Sequence, residues 1–264
     1  MRTVSSAVLL VVDGLRPDAL ASDRCPSFAA LRASGAATLL ASSVMPSITL
    51  PCLMSIFHSV PPTRHGITTN LWMPMARPLP GLADVAHAAG LSCAFFYNWE
   101  PLRDLSRPLS LDFSYFRDNC ETDPDGDMII ADEVARYITG DRPDLTFVYF
   151  GTLDAAGHRY GFMSDGYLAQ LKRVDSALGA LLGALPDDAT VLLTSDHGGH
   201  DRIHGTDTPE DMTVPWMIAG PGVRRGYEID AQVGLLDIAP TLARVLGIRP
   251  HPDWEGRCVR EAFG

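Results

Sequence analysis

The sequence predicts an α/β fold on a mostly parallel, buried central sheet, and three observations carry that prediction. Short runs rich in Val, Leu, Phe and Tyr alternate with longer helical stretches, as βα units require. The short runs are close to continuously apolar, the mark of strands covered on both faces. The chain's 264 residues, 46% hydrophobic and 20% charged, suffice for one large core and carry no disorder signature.

Element by element, strands are expected over residues 7–12, 92–97, 146–150, 191–194 and 216–219. Helices are expected over 27–34, 82–89 and 235–246, each closed by a glycine, at Gly35, Gly90 and Gly247. Two more, over 127–139 and 167–185, complete the set. Pro51 suits the first turn of another helix, which leaves Thr49 at or just before its N-cap. Residues 1–264 contain neither an internal repeat nor a low-complexity linker, so a single domain is expected. Residues 98–125, with several prolines and charges, are expected to form a loop or small cap beside the site.

Lys and Arg number 21 against 32 Asp and Glu, a net charge of −11 that argues against an extended surface for nucleic acid or anionic membrane. Lys172 is the only lysine, which excludes a P-loop. Cys25, Cys52, Cys93, Cys120 and Cys258 are widely spaced and never form a Cys-x-x-Cys pair, so neither a disulfide framework nor a zinc ribbon is indicated. No apolar run approaches the ~20 residues of a membrane span. The run at 7–12 is too short for a signal peptide. The expectation is a cytoplasmic protein with no membrane or nucleic-acid partner, acting on a small substrate; the oligomeric state is left open.

Asp13, Asp154 and Asp196 each follow a predicted strand, and in an open α/β sheet the C-terminal strand ends share the edge where ligands bind. Asp-Gly after a strand is by itself ordinary turn chemistry. Histidines change the reading: His158 closes Asp154-Ala-Ala-Gly-His158, His197 follows Asp196 directly, and His204 lies shortly beyond. Carboxylate and imidazole ligands without thiolates suit a catalytic zinc site or one for a similar divalent ion. Carboxylates this close would repel one another without a cation between them. Thr49, at the start of its helix, stands where free N–H groups and the helix dipole favour an anion, although a threonine there is also a common N-cap.

Asp13-Gly14, the Thr49-Leu50-Pro51 segment leading to His65-Gly66-Ile67, Asp154 to His158, Asp196-His197-Gly198 and His204-Gly205 resemble, in order and spacing, the alkaline phosphatase superfamily, and above all its nucleotide pyrophosphatase/phosphodiesterase branch. The C-terminal Leu236 to Leu242 and Trp254-Glu255-Gly256-Arg257 are similar to that superfamily's closing helix and tail, so the likeness spans nearly the whole chain. It implies a three-layer sandwich and a two-metal phosphoric ester hydrolase. Asp154, His158 and His204 would hold one ion, and Asp13, Asp196 and His197 a second, zinc or manganese in its place. Thr49 would be the nucleophile, forming a phosphothreonine. Alternatives are a phosphonate or phosphomonoester hydrolase with the same site, or a metal-binding relative without turnover. A mutase is less favoured, no substrate-holding domain being visible.

The sequence also departs from that pattern. Cys52 stands where the branch usually has Asn, which leaves Asn70 or a backbone N–H to hold the phosphoryl oxygen, with Arg64, Arg103, Arg107, Arg159 and Arg202 as further candidates and Arg64 foremost. Cys52 raises a sulfatase reading, but Leu53 to Ile56 supply neither the proline nor the arginine of the Cys-x-Pro-x-Arg motif, and packing explains the thiol better. His200 competes with His204 as a ligand; His204 precedes Gly in the matching pattern. His65 reads as structural.

Overall fold

The computed structural model describes residues 6–20, 24–107 and 109–264. Residues 1–5, on which the absence of an export signal partly rests, lie outside them. Eight strands form one sheet: β1 (Ala7–Val12), β2 (Ala36–Ser42), β3 (Cys93–Tyr97), β4 (Phe113–Phe116), β5 (Leu145–Phe150), β6 (Thr190–Thr194), β7 (Thr213–Ala219) and β8 (Tyr227–Glu228). Their spatial order is β4-β3-β5-β1-β6-β7-β2-β8. Pairing is parallel from β4 through β6, while β7 runs antiparallel to both β6 and β2.

Nine α-helices accompany the sheet among the described residues: α1 (Pro26–Ser34), α2 (Thr49–His58), α3 (Pro62–His65), α4 (Leu82–Ala88), α5 (Gly126–Gly140), α6 (Thr152–Tyr160), α7 (Asp165–Ala184), α8 (Pro209–Met212) and α9 (Ile238–Val245). Alternation along β1 divides the core into two layers. Leu9 and Val11 join one cluster with Phe57 of α2, Ala86 of α4 and Leu242 of α9, whereas Leu10 and Val12 join another with Phe28 of α1, Val134 of α5 and Leu178 of α7. The result is the expected three-layer sandwich with a mostly parallel sheet.

Helix α2 is buried along its whole length, including Thr49 and His58. Its seat is aromatic: Phe57 packs at 5.3 Å from Phe95 of β3 and 5.0 Å from Phe147 of β5, edges to faces or tilted. A helix wedged this way carries its first residue to a fixed place over the strand ends.

The element boundaries differ from expectation most at three places, apart from β7, which begins at Thr213 rather than at 216. Thr49 is the first helical residue and Ile48 the N-cap. The C-terminal helix begins as a 3₁₀ turn at Leu235–Asp237, with α9 following. Residues 98–125 are more ordered than a loop: they contain a 3₁₀ segment, Glu100–Leu105, and β4, which extends the main sheet as an edge strand. Among the described residues no helix is long and apolar enough to cross a membrane.

Candidate active site

Strand order reverses around β1, whose neighbours are β5 and β6. Asp13 leaves β1, Asp154 lies on α6 just after β5, and Asp196 follows β6, so the three predicted carboxylates meet at one sheet edge. Gly14 makes the approach feasible. It holds φ at +67°, and a Cβ there would stand 3.0 Å from the Cα and Oδ1 of Asp154.

The six predicted ligands gather in two groups, Asp154 with His158 and His204, and Asp13 with Asp196 and His197, the ligand atoms of each group within 4.8 Å of one another. Their imidazoles are oriented alike. Nδ1–H of His158 donates to the Arg202 carbonyl at 2.8 Å, that of His197 to Gly198 at 2.8 Å, and that of His204 to Ser47 at 2.9 Å. Carbonyls only accept, so in the neutral rings each Nε2 keeps a lone pair facing the carboxylates. His158 and His204 turn their Nε2 atoms to each other at 3.2 Å. Asp13 Oδ1, Asp154 Oδ1 and Asp196 Oδ2 are buried without a hydrogen-bond partner. Unpartnered carboxylate oxygens facing imidazole lone pairs form a donor set that a divalent cation satisfies. His200 is engaged elsewhere: its Nδ1 lies 2.7 Å from Asp211 Oδ1.

The electrostatics agree. Burial, then repulsion from Asp196 and Asp154, drives the Asp13 carboxyl well above its usual range. Burial and the charge of Asp154 push Asp196 up to about 7. Asp154 is held low instead: its burial is outweighed by His158, which bonds it, and by the charges of His197 and His204. That same bond raises His158 to about 9, whereas burial and neighbouring His197 lower His204 to about 4.

Thr49 Oγ1 lies 3.2 Å from His197 Nε2, and both line up with Asp13, whose Oδ1 is 3.2 Å from the same nitrogen. Asn70 reaches the start of α2 from another loop and accepts the Leu50 N–H through Oδ1 at 3.0 Å. Thr49, Asn70, Asp13, Asp154, His158 and His204 share a cavity of about 460 Å³. Cys52 does not line it; its thiol, 3.3 Å from Ser43 Oγ, is wholly buried, and burial raises its pKa. His65 is likewise internal, bonded to Ser55 Oγ at 3.1 Å.

Arg64 stands apart from the site. Its guanidinium bonds Glu255 at 2.6 Å and the Asp253 carbonyl at 2.8 Å on the far C-terminal segment, and it does not line the cavity. Of the other candidate arginines, Arg103, Arg107 and Arg202 do not line the cavity either. Arg159 does line it, with its guanidinium 5.2 Å above the Tyr160 ring.

Other residues enter from the structure alone. Tyr149 O–H donates to Asp13 Oδ2, leaving Oδ1 for the imidazole side. Trp99 stacks on Tyr149 at 6.5 Å and faces the cavity beside Cys120. Beneath α6, Asn98 bonds the Gly151 N–H and buried Asp127, and Asp127 takes the hydroxyl of Thr152, the helix's first residue. Asn98 follows β3 as the aspartates follow their strands, a signal present in the sequence.

Two carboxylate–imidazole groups at one sheet edge, opposite a helix-borne threonine, sit in a chain whose sequence profile and fold are those of the alkaline phosphatase superfamily. The chain belongs to the type I phosphodiesterase / nucleotide pyrophosphatase family, whose sequence profile matches residues 7–79 and 82–209. Murine ectonucleotide pyrophosphatase / phosphodiesterase 5 has the same fold, with a TM-score of 0.84 at 15% identity over 98% of this chain and 100% of that one. A phosphonate monoester hydrolase of Agrobacterium radiobacter matches with a TM-score of 0.79 at 16% identity, over 98% of this chain and 77% of that one. By sequence, a phosphopentomutase of Clostridioides difficile is 27% identical over 120 residues, 45% of this chain and 30% of the mutase. The matched segment thus spans under a third of that curated relative. The proteins compared are named as a pyrophosphatase/phosphodiesterase, a phosphonate monoester hydrolase and a phosphopentomutase.

Proposed function

We propose that the protein is a metal-dependent hydrolase of phosphate diesters and pyrophosphate-like bonds, with Thr49 as nucleophile and a phosphothreonine intermediate. One observation carries this reading: a helix-borne hydroxyl shares a cavity with Asp154, His158 and His204 and with Asp13 of the second carboxylate–imidazole group, and both groups contain unpartnered oxygens. Asp154, His158 and His204 would hold one divalent ion, zinc or manganese, and Asp13, Asp196 and His197 another. Such ions, when bound, supply Lewis-acid stabilisation of phosphoryl and leaving-group oxygens and lower the pKa of a coordinated hydroxyl.

The chain's own residues supply direction. Thr49 opens α2, so its N–H falls in the first turn, where a helix offers no acceptor, and is free to meet a phosphoryl oxygen. Asn70 commits Oδ1 to Leu50 N–H, which leaves its amide hydrogens as donors on the cavity side. Oγ1, having given up its proton, forms a bond to phosphorus as the bond to the leaving oxygen breaks and that oxygen takes up a proton; water then attacks phosphorus, the Oγ1–P bond breaks, and Oγ1 regains a proton.

Charge favours the diester. Among the described residues lining the cavity Arg159 is the only arginine or lysine, against the carboxylates of Asp13, Asp154 and Glu121. A diester monoanion needs less positive compensation than a monoester dianion. The murine neighbour is in complex with AMP, and the Trp99–Tyr149 stack offers an aromatic wall for a planar group of that kind. The expected result is a larger kcat/KM for bis(4-nitrophenyl) phosphate than for 4-nitrophenyl phosphate under one metal and pH condition. Thr49→Ala tests the mechanism: it should retain bound metal, lose turnover by several orders of magnitude and abolish the phosphothreonine trapped at low pH in the wild type. Near-normal turnover in that variant would remove Thr49 from its role.

A further inference from the structure

The catalytic cavity is asymmetric along helix α6. Gly151, Ala155, His158 and Arg159 line it, and their spacing of three and four residues sets them along one side of the helix. At the N-terminal end of that side the wall is aromatic and acidic. A Cβ on Gly151 would stand 2.9 Å from the Tyr149 ring and 3.0 Å from Cys120 Cβ, and Trp99 and Glu121 line the cavity with them. Arg159 stands at the other end, seven residues past Thr152 and roughly 10 Å further along the axis.

The two ends also differ in charge. Glu121 and Arg159 are both exposed, and neither forms an ion pair among the described residues. Elsewhere the guanidinium groups are spent: Arg16 pairs with Asp18, Arg64 with Glu255 and Arg103 with Glu100. Arg159 rests instead over the ring of Tyr160, 5.2 Å from its centre, and that ring is 48% exposed. A guanidinium stacked on a ring face keeps its in-plane N–H donors for an acceptor. With Asp13, Asp154 and Glu121 also in the lining, an anion entering this cavity finds side-chain positive charge that does not depend on protonation only at Arg159.

We infer that Arg159 is a specificity-determining residue, which receives an anionic group, phosphate or carboxylate, carried by the leaving group. In-line displacement sends the leaving oxygen to the side of phosphorus away from the nucleophile. Thr49 stands against the buried group, its Oγ1 3.2 Å from His197 Nε2, so the leaving group departs over Asp154 and His158 along the C-terminal half of α6. Arg159 lies about 7.5 Å beyond Asp154 on that path, a span that one further charged group on the leaving oxygen bridges. The inference rests on the phosphodiesterase reading and narrows its substrates to diesters whose leaving group bears a negative charge of its own.

The test compares two esters with the metal-loaded protein, methyl 4-nitrophenyl phosphate and its 3-carboxy-4-nitrophenyl counterpart, which differ by one negative charge on the leaving group. The readout is the ratio of their kcat/KM values, charged over uncharged. Arg159→Ala should lower that ratio by about threefold to tenfold, the range for a charge-assisted contact at an exposed site. Comparing the variant with the wild type cancels the intrinsic reactivity of the esters. Arg159→Lys should keep part of the preference, Arg159→Glu should push the ratio lower still, and added salt should shrink the difference between wild type and Arg159→Ala. A ratio unmoved by Arg159→Ala overturns the inference, and turnover of the uncharged ester leaves the phosphodiesterase reading intact. An equal fall in Arg202→Ala, whose side chain lies outside the cavity, also overturns it, because the effect would then be a long-range field and not a contact. A 3-phosphono group in place of the carboxylate separates the two sources: the fall in Arg159→Ala is larger for the group that the natural leaving group carries, and either fall upholds the contact. If neither ester turns over, the phosphodiesterase reading fails and the esters serve as plain ligands in calorimetry. Tighter binding of the charged ester that is lost in Arg159→Ala then upholds the anion contact, and equal binding of the two esters overturns it.

Discussion

The two carboxylate–imidazole groups are built from the same residue types but in opposite ways. Asp13, Asp196 and His197 are fully buried and hang from adjacent strand ends, whereas His158, with 46% of its side chain exposed, and His204 come from a helix and a long loop. The half-exposed group satisfies itself in part: His158 lies 3.3 Å from Asp154 Oδ2, its pKa rising to about 9 as that of Asp154 falls, while Asp154 Oδ1 keeps no partner. The buried group cannot, and its two carboxyls are both forced upward by burial and mutual repulsion. Placement on strand ends therefore fixes geometry at an electrostatic cost that a cation or a bound proton must relieve, while placement on a helix and a loop allows an ion pair to stand in.

The sharpest way to break that comparison is to delete one ligand from each group. Asp196→Ala should remove the buried ion together with turnover. His158→Ala should leave about one equivalent of metal and a partly stable, largely inactive protein. Elemental analysis after gel filtration reads both. If the two variants lose metal to the same extent, the groups are not independent and the contrast collapses.

How much of this was legible in the sequence follows from the same physics. A strand buried on both faces is an apolar run, and Asp13, Asp154 and Asp196 stand out where such runs stop. β2 was not legible, because Ala-Ala-Thr-Leu-Leu-Ala-Ser has weak strand propensity and is held in place by pairing with β7. β4, with alternating burial inside a segment rich in Pro and charge, was likewise missed. Tyr149 reads as one more core aromatic until its hydroxyl meets Asp13, 136 residues away. Arg64 failed as a phosphate contact for the converse reason: its carboxylate partner, Glu255, lies 191 residues away, and no local pattern separates a guanidinium aimed at phosphate from one paired at the surface. Asn70 was nameable as a candidate donor, yet only its bond to Leu50 N–H tells which end of its amide meets the cavity.

A smaller effect sharpens the contrast. A ligand on a loop needs a clamp that a strand-end ligand does not, and Asp211 provides one: it accepts from Thr206 N–H at 2.9 Å, from Thr206 Oγ1 at 2.7 Å and from His200. Between Thr206 and His200 runs the segment that carries His204. Asp211→Ala should weaken the half-exposed metal site by ~10- to 100-fold, the usual effect of losing an outer partner, and leave the buried site unchanged. Titration with competing chelators separates the two affinities. Equal weakening of both would mean that the clamp supports the fold at large.

A last effect, on stability rather than on metal affinity, concerns the platform beneath α6. Asp127 is buried among Asn98, Thr152 and the Gly151–Thr152 backbone, and burial raises its carboxyl to about 6 despite those bonds. The sign is opposite to that of an ordinary paired aspartate. Between its ordinary value near 3.8 and about 6, the folded state holds more proton than the unfolded chain, so raising the pH across that window removes stability. A displacement of that size corresponds to about 3 kcal/mol. Asp127→Asn cannot ionise, so it should abolish this slope, while one of its amide hydrogens must now face the Thr152 hydroxyl that formerly donated to the carboxylate. Urea unfolding at pH 4, 5, 6 and 7 on wild type and variant isolates the contribution, because the other titrating groups cancel in the difference. If the difference does not change with pH, Asp127 is ionised throughout, and the helix bearing Asp154 and His158 rests on a fixed negative charge.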